Sequence, residues 1–323
     1  MNEIAWKLTS IGQLALLVEA SSPKPGNVSR ITEFSDLSYR HFLASSAMMA
    51  RGLHECASRG IRLSRGEISP EDVRLGELIH VATCDSIGEM GGKNTILGTI
   101  LLYVPLVVSL GAHLEELGAF SVKHLRRTLC RIVEASTVED CVNLYEAFQV
   151  ANPGGAMIKE EPVWKKVHER YDIDNPRAIE NIRKDEISLI DLLRVSAPVD
   201  EIAAEWASGF EVVLKQVFPY LDRLSSGLES LEEAVVMSHV WLLSRRPDGL
   251  IVKKAGLDEA ERVMHLARSA VSLLDEKGDA GALLAHLDNT LRTEGNMLNP
   301  GTTADLVSAA TLCKLASDSF KKR

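Results

Sequence analysis

Apolar residues return every three or four positions along most of this chain, and that spacing predicts helices. Ile4, Leu8, Ile11, Ala15 and Val18 put one apolar stripe on an opening helix that Ser21-Ser22-Pro23 ends. Ile202, Trp206, Phe210, Val213 and Val217 keep one face over about four helical turns. The same pattern predicts helices over 37–58, 70–90, 95–112, 116–134, 138–150, 231–245, 256–275, 279–293 and 303–319. No stretch sustains the alternation of a half-buried strand. The expected class is all-α.

The joints between these segments collect glycine: Pro25-Gly26-Asn27, Gly91-Gly92-Lys93, Asn152-Pro153-Gly154-Gly155, Asp248-Gly249 and Asn299-Pro300-Gly301. Residues 152–200 are the least periodic, with Pro162, Asn175-Pro176 and the mixed charges Arg183-Lys184-Asp185-Glu186, and read as an excursion or a lid. The chain shows no internal repeat and no low-complexity tract.

At 323 residues the chain can bury a large core as one domain or two poorly separated ones. A formal net charge of −9 disfavours general nucleic-acid binding, which needs a local excess of Lys and Arg, but leaves room for a small anionic ligand. The five cysteines form no C-x-x-C pair, which disfavours a disulfide framework or a zinc site and fits a reducing cytoplasm. The first residues, Met1-Asn2-Glu3-Ile4, do not read as a signal peptide. The most apolar run, Ile96 to Leu110, contains Gly98, Thr99, Pro105 and Ser109 and falls short of the ~20 residues of a bilayer span. It is expected to be a buried core helix.

Four joints can carry chemistry, and each has an ordinary structural use as well. In Pro23-Lys24-Pro25-Gly26-Asn27-Val28-Ser29-Arg30 the prolines fix the approach and Gly26 permits a positive φ, so Lys24 and Arg30 can be held toward phosphate; the same residues make a plain helix stop. Gly91-Gly92-Lys93-Asn94-Thr95-Ile96-Leu97-Gly98 feeds a helix capped by Asn94 or Thr95, whose free N–H groups and nearby Lys93 suit an anion. It lacks the spacing of a Walker loop. In Asn299-Pro300-Gly301-Thr302-Thr303-Ala304-Asp305, Thr302 is the expected N-cap, and Asp305 either completes that cap or helps hold Mg²⁺ on a phosphate. Asp248 with Lys253 and Lys254 is an acid and cations for the same site, or a solvated turn. Asp200, Glu201 and Glu205 gather near one helix start, where acids commonly complement the dipole. No histidine pair has metal-ligand spacing, and Ser45-Ser46 has no nucleophile elbow around it.

Taken in order, Pro23 to Arg30, Phe42-Leu43-Ala44-Ser45, Gly92 to Gly98 and Asn299 to Leu306 resemble the triphosphoribosyl-dephospho-CoA synthase family, from near residue 14 to near residue 312. The resemblance implies one all-helical domain over 1–323, bundle-like, with its ligand site in loops at helix ends. It also implies a transferase that takes ATP and dephospho-CoA, releases adenine and builds the precursor of the citrate or malonate lyase prosthetic group. The matching positions are Lys24, Gly26, Arg30, Asn94, Thr95, Gly98, Gly301 and Asp305. Two positions depart from the classical pattern: Asn27 replaces a usual leucine, and Asp248-Gly249-Leu250 stands for Asp-Thr-Asn. The middle, Asn143 to Phe210, looks like a divergent branch.

Under that chemistry a hydroxyl displaces a base or pyrophosphate from ribose C1′ through a transition state of oxocarbenium character, which calls for negative charge nearby and neutralised phosphates. Lys24, Arg30, Lys93 and Lys253, with Gly26, Gly92, Thr95, Gly98, Gly301 and Thr302, then bind the nucleotide, and Asn94 meets ribose or base. Asp305 and Asp248 hold Mg²⁺ or face the cation, and Asp200 or Glu205 serves as general base. The expected partners are ATP or another activated ribose phosphate and dephospho-CoA or another hydroxyl acceptor, such as a pterin-like precursor. Neither nucleic acid nor a membrane is expected, and a homodimer is left open. A Mg²⁺-dependent nucleotide hydrolase and a non-catalytic helical scaffold are the readings from other classes.

Overall fold

The computed structural model of the chain describes residues 3–88, 93–152, 169–275, 280–292 and 296–321. Among the described residues the regular structure is helical. Its axis is the helix Leu97–Leu117, buried at every position from Leu97 to Leu114 except Gly98. This helix is long and apolar enough to cross a membrane by composition, yet 94% of its most apolar window is buried against neighbouring helices. Glu3–Ser21, Ala50–Ser64, Val122–Glu134 and Gly301–Ser319 pack around it. Against Ala50–Ser64 the two backbones touch: a Cβ on Gly60 would lie 1.9 Å from the Val108 carbonyl, and one on Gly111 would lie 2.4 Å from that of Ala57. Glycine is required at both points, because the approach leaves no room for any side chain.

The sequence-predicted breaks of this helix do not stop it. Pro105 cannot donate to the Leu101 carbonyl one turn earlier, which would leave a buried acceptor empty. The Trp206 indole N–H fills it at 3.0 Å. An unpaired buried carbonyl costs about 1–3 kcal/mol, so this contact lets proline stay inside a core helix.

Elsewhere the expected helices form with altered boundaries. The stretch predicted as 37–58 is two helices, Tyr39–Met48 and Ala50–Ser64, and 70–90 resolves into a short turn, Leu75–Thr83 and a wider coil, Cys84–Gly88. The stripe from Ile202 to Val217 is not one helix. Glu201–Ser208 ends at Gly209 (φ 67°) and Phe210 (φ 59°), and the chain restarts as the wide turn Val213–Val217 and the helix Phe218–Ser225. All five apolar residues of that stripe are nonetheless buried, so the periodicity marked burial correctly and continuity wrongly. The aperiodic middle contains the helices Ala178–Lys184 and Leu189–Ser196, while 153–168 lie outside the described residues.

The apolar interior has two centres. The larger surrounds Leu97–Leu117. A satellite built from Val240, Leu243, Ile251, Val263, Leu287 and Leu291 lies beneath the helices Gly249–Ala255, Leu257–Asp275 and Ala280–Arg292. The helix Leu231–Leu243 joins them, giving Ala234 and Val235 to the first and Val240 and Leu243 to the second. The joints at 25–27, 248–249 and 299–301 come together beside Leu250 and Leu291.

Candidate active site

Gly26 (φ 75°) turns the chain behind the opening helix so closely that a Cβ would fall 2.6 Å from Leu291 Cδ1 and 3.1 Å from Pro300 Cδ. Its N–H donates to Asp288 Oδ1 (2.7 Å), and Asn27 Nδ2 donates to Asn299 Oδ1 (2.9 Å). The joint at 25–27 is therefore tied to the joint at 299–301. Gly301 sits against Leu250, 2.5 Å from a would-be Cβ to Leu250 Cδ2, and Gly249 lies between Glu201 and Thr302. A Cβ on Gly98 would meet Asp305 Oδ2 at 2.1 Å. Four joints remote in sequence thus share one junction, where the helices Leu97–Leu117, Gly249–Ala255 and Gly301–Ser319 begin.

Asp305 is placed by that junction rather than by its own helix. Gly301–Ser319 starts at Gly301, with Pro300 ahead of it and no side-chain cap, so Thr302 is not the N-cap and Asp305 lies beyond the capping position. The Asp305 carboxylate crosses instead to the first turn of Leu97–Leu117 and accepts the Thr99 hydroxyl at 2.6 Å. Burial, with Glu19 and Asp248 adding like charge against the Thr99 hydrogen bond, pushes its carboxyl up to about 8. An acid so raised is poised to gain from a cation brought beside it.

Asp248 is fully committed. Its Oδ1 accepts from Leu250 N (2.9 Å) and Ile251 N (3.1 Å), capping its own helix. Its Oδ2 accepts from Thr303 N (2.7 Å) and Thr303 Oγ1 (2.8 Å), capping the closing helix as well. Four donors on a buried carboxylate leave little for the metal role read from the sequence; Asp248 holds two helix starts in register. Glu205 departs from expectation for the same reason, since both oxygens accept backbone N–H groups, from Val212 and Val213 at 2.9 Å each. It re-nucleates the chain after the break at Gly209. Asp200 caps Ala203 N (2.9 Å) and pairs with Lys253 Nζ (2.6 Å).

Lys24 does not reach toward a ligand. Its side chain is buried, with Nζ 2.9 Å from Glu19 Oε1 and 2.5 Å from the Glu19 carbonyl. The buried pair neutralises itself behind the joint, beside His239, which burial and then Lys24 push down to about 3 and so keep neutral. The accessible cations lie further out. Arg30 is exposed on a tight turn closed by Ser29 N to the Thr32 carbonyl (2.8 Å). Lys93 Nζ reaches the Asp36 carbonyl (3.2 Å), Asn296 Nδ2 reaches Asp36 Oδ2 (3.0 Å), and Lys254 Nζ reaches the Asn296 carbonyl (3.1 Å). Asn94 Oδ1 takes the N–H of Leu97 (3.2 Å), and Thr95 Oγ1 meets Ser45 Oγ (2.9 Å). Gly92 lies outside the described residues.

Sequence reasoning had only half of the mouth. Lys254 was visible as one of a lysine pair, but only the fold shows that it faces Asn296 and the nearby Asp36. Glu201 was visible as one acid of a turn, but its partner Gly249 lies 48 residues away. A cavity of about 520 Å³ lined by Trp6, Arg51, His54 and Arg59 among others includes none of these residues.

These features define a helical protein whose polar side chains converge on a junction of helix starts. Residues 5–323 match the family described as ATP:dephospho-CoA triphosphoribosyl transferase (CitG), and the chain belongs to that family of transferases. Among solved structures, it is similar to one from Archaeoglobus fulgidus proposed to be a triphosphoribosyl-dephospho-CoA synthase. That likeness is at 23% identity and a TM-score of 0.60, and it covers 85% of this chain and 98% of that one, so it bears on the fold. No curated protein matches the sequence.

Proposed function

We propose that this enzyme transfers the triphosphoribosyl group of ATP to a hydroxyl of dephospho-CoA and releases adenine. The observation that carries the reading is the Asp305 carboxylate, placed on the first turn of Leu97–Leu117 by a joint that only glycine at 98 permits. A carboxyl there, among helix starts and ready to ionise once a cation comes beside it, suits a substrate with a metal-bound polyanionic tail and a centre that becomes cationic in the transition state.

In this reading Lys93, Lys254 and Arg30 take the phosphates. They come from three segments and face outward or stay half-buried, so they can close on one extended anion. Lys253 keeps Asp200 in place as well. Asn94, exposed beside the central helix start, meets ribose or base. Among the described residues no group of three or more His, Cys, Asp or Glu could hold a metal on its own. A single carboxylate such as Asp305 suits Mg²⁺, which is commonly held by one or two carboxylates with substrate phosphate and water. Asp305 would be its protein ligand, and the ion would supply neutralising charge on the phosphate chain. Asp248 and Lys24 act by holding the joints still, which keeps reacting groups within the small tolerance that transfer demands.

The test is incubation of the enzyme with ATP and Mg²⁺, with and without dephospho-CoA, followed by chromatography for adenine and mass analysis of the acceptor. Adenine released only with the acceptor, and an acceptor heavier by a triphosphoribosyl group, supports the reading. Phosphate or pyrophosphate released without acceptor contradicts it and points to hydrolysis.

A further inference from the structure

Transfer to a hydroxyl needs a group that removes its proton, and the acids at the junction differ sharply in what they have left to offer. Asp248 and Glu205 have both oxygens on backbone or hydroxyl donors. Asp200 is divided between Ala203 N and Lys253, and Glu19 is closed behind Lys24. Glu201 is different. Its Oε2 accepts Gly249 N at 2.9 Å, whereas Oε1 has only Arg246 Nη1 at a long 3.4 Å, and its side chain keeps 19% of its surface open.

Its position is also well fixed relative to the proposed site. Glu201 is the first residue of a helix capped by Asp200, and the Gly249 N–H and Arg246 hold its two oxygens apart. Around Gly249, Glu201 Oε2 and Thr302 Oγ1 each lie 3.3 Å from where a Cβ would be. Thr302 precedes Asp305 by three residues on the closing helix, about one turn or ~5 Å along its axis. Glu201 and Asp305 thus both belong to the junction of helix starts.

Resting on the transfer reading above, we propose that Glu201 is the general base that takes the proton from the acceptor hydroxyl. As that oxygen bonds to ribose C1′, the C1′–N9 bond of ATP breaks and its electron pair goes to adenine. The hydroxyl proton moves to Glu201 Oε1 and then to solvent, and adenine takes up one proton, so atoms and charge balance. Burial and the neighbouring Asp248 hold the Glu201 carboxyl up at about 7, with Arg246 and the Gly249 N–H pulling it down and Asp200 adding to the rise. A base tuned near the working pH is the efficient one. The charged groups facing it are Asp248, Arg246 and Asp200, the last already paired with Lys253.

The experiment compares wild type with Glu201→Gln and Arg246→Met for acceptor-dependent adenine release at saturating ATP, from roughly pH 5.5 to 9, a span chosen to bracket the expected limb. Glu201→Gln keeps an oxygen for Gly249 N–H and is expected to fold. It should lose about 10²–10⁴-fold in turnover and the acidic limb, with Mg·ATP affinity by calorimetry unchanged. Arg246→Met removes the cation that lowers the Glu201 carboxyl, so its limb should move to higher pH; this holds the inference to account even should the glutamine variant fail to fold. A Glu201→Gln enzyme that keeps wild-type turnover and limb, or an Arg246→Met limb that stays put, overturns the role of Glu201 alone. Absence of acceptor-dependent adenine release from wild type overturns the transfer reading instead.

Discussion

Gly98 and Asp305 occupy each other's space. Asp305 Oδ2 lies 2.1 Å from the point where a Gly98 Cβ would be, so the central helix and the closing helix can meet through a carboxylate only because one of them has no side chain there. A Gly98→Ala variant should expel the carboxylate while leaving Asp305 in the sequence. Turnover is expected to fall about 100-fold or more, the scale seen when one preorganised electrostatic group is lost. Asp305→Asn should do the same, and the double variant should be little worse than either, since both remove one interaction. Steady-state adenine release, with melting curves as a control, checks this.

Asp248 has a different signature. Because one buried carboxylate serves the starts of two helices, Asp248→Ala should cost about 2–4 kcal/mol of stability, from two caps lost together. Asp248→Asn keeps part of the acceptor capacity and should cost less. Urea denaturation followed by circular dichroism measures both.

The Lys24–Glu19 pair is buried from both ends, and removing one partner strands the other. Lys24→Met alone should cost about 3–5 kcal/mol, while Glu19→Gln with Lys24→Met should recover much of it. The four-member double-mutant cycle, read by denaturation, gives the coupling. A Lys24→Met loss confined to ATP affinity, with stability intact, would speak for direct phosphate contact instead.

Three junction acids, Asp305 near 8 and Glu201 and Glu205 near 7, sit above their ordinary carboxyl values in the fold, mainly because burial disfavours the charge. The folded state therefore keeps protons that the unfolded chain releases at lower pH. Their contribution to stability is full below the ordinary values of 3.8 and 4.5 and is lost as pH rises through about 7 to 8. Melting temperature should decline across that window, and Asp305→Asn should flatten the upper part of the decline. Calorimetric melting at matched ionic strength tests the sign.

The fold class was legible because apolar residues such as Leu8, Ile11 and Ala15 repeat at helical spacing and are buried. Breaks were less legible. Periodicity carries through Gly209 and Phe210 because burial continues on both sides of a kink that only the Glu205 carboxylate and a positive φ reveal. The helix Gly249–Ala255 has seven residues, too few for a stripe to stand out beside its flanking proline and glycines. At the site, residue types marked the joints but not their commitments. Nothing local distinguishes Lys24, locked on Glu19, from Lys254, which faces the mouth, and nothing near Asp248 shows that Thr303 completes its hydrogen bonds.

The central claim is that remote joints build one nucleotide site, and Mg·ATP titration calorimetry tests it most directly. Lys93→Ala, Lys254→Ala and Asp305→Asn each alter a different segment. Each is expected to weaken the same one-to-one binding event by about tenfold, the loss of one charge-assisted contact. Wild-type affinity retained by all three variants would contradict it.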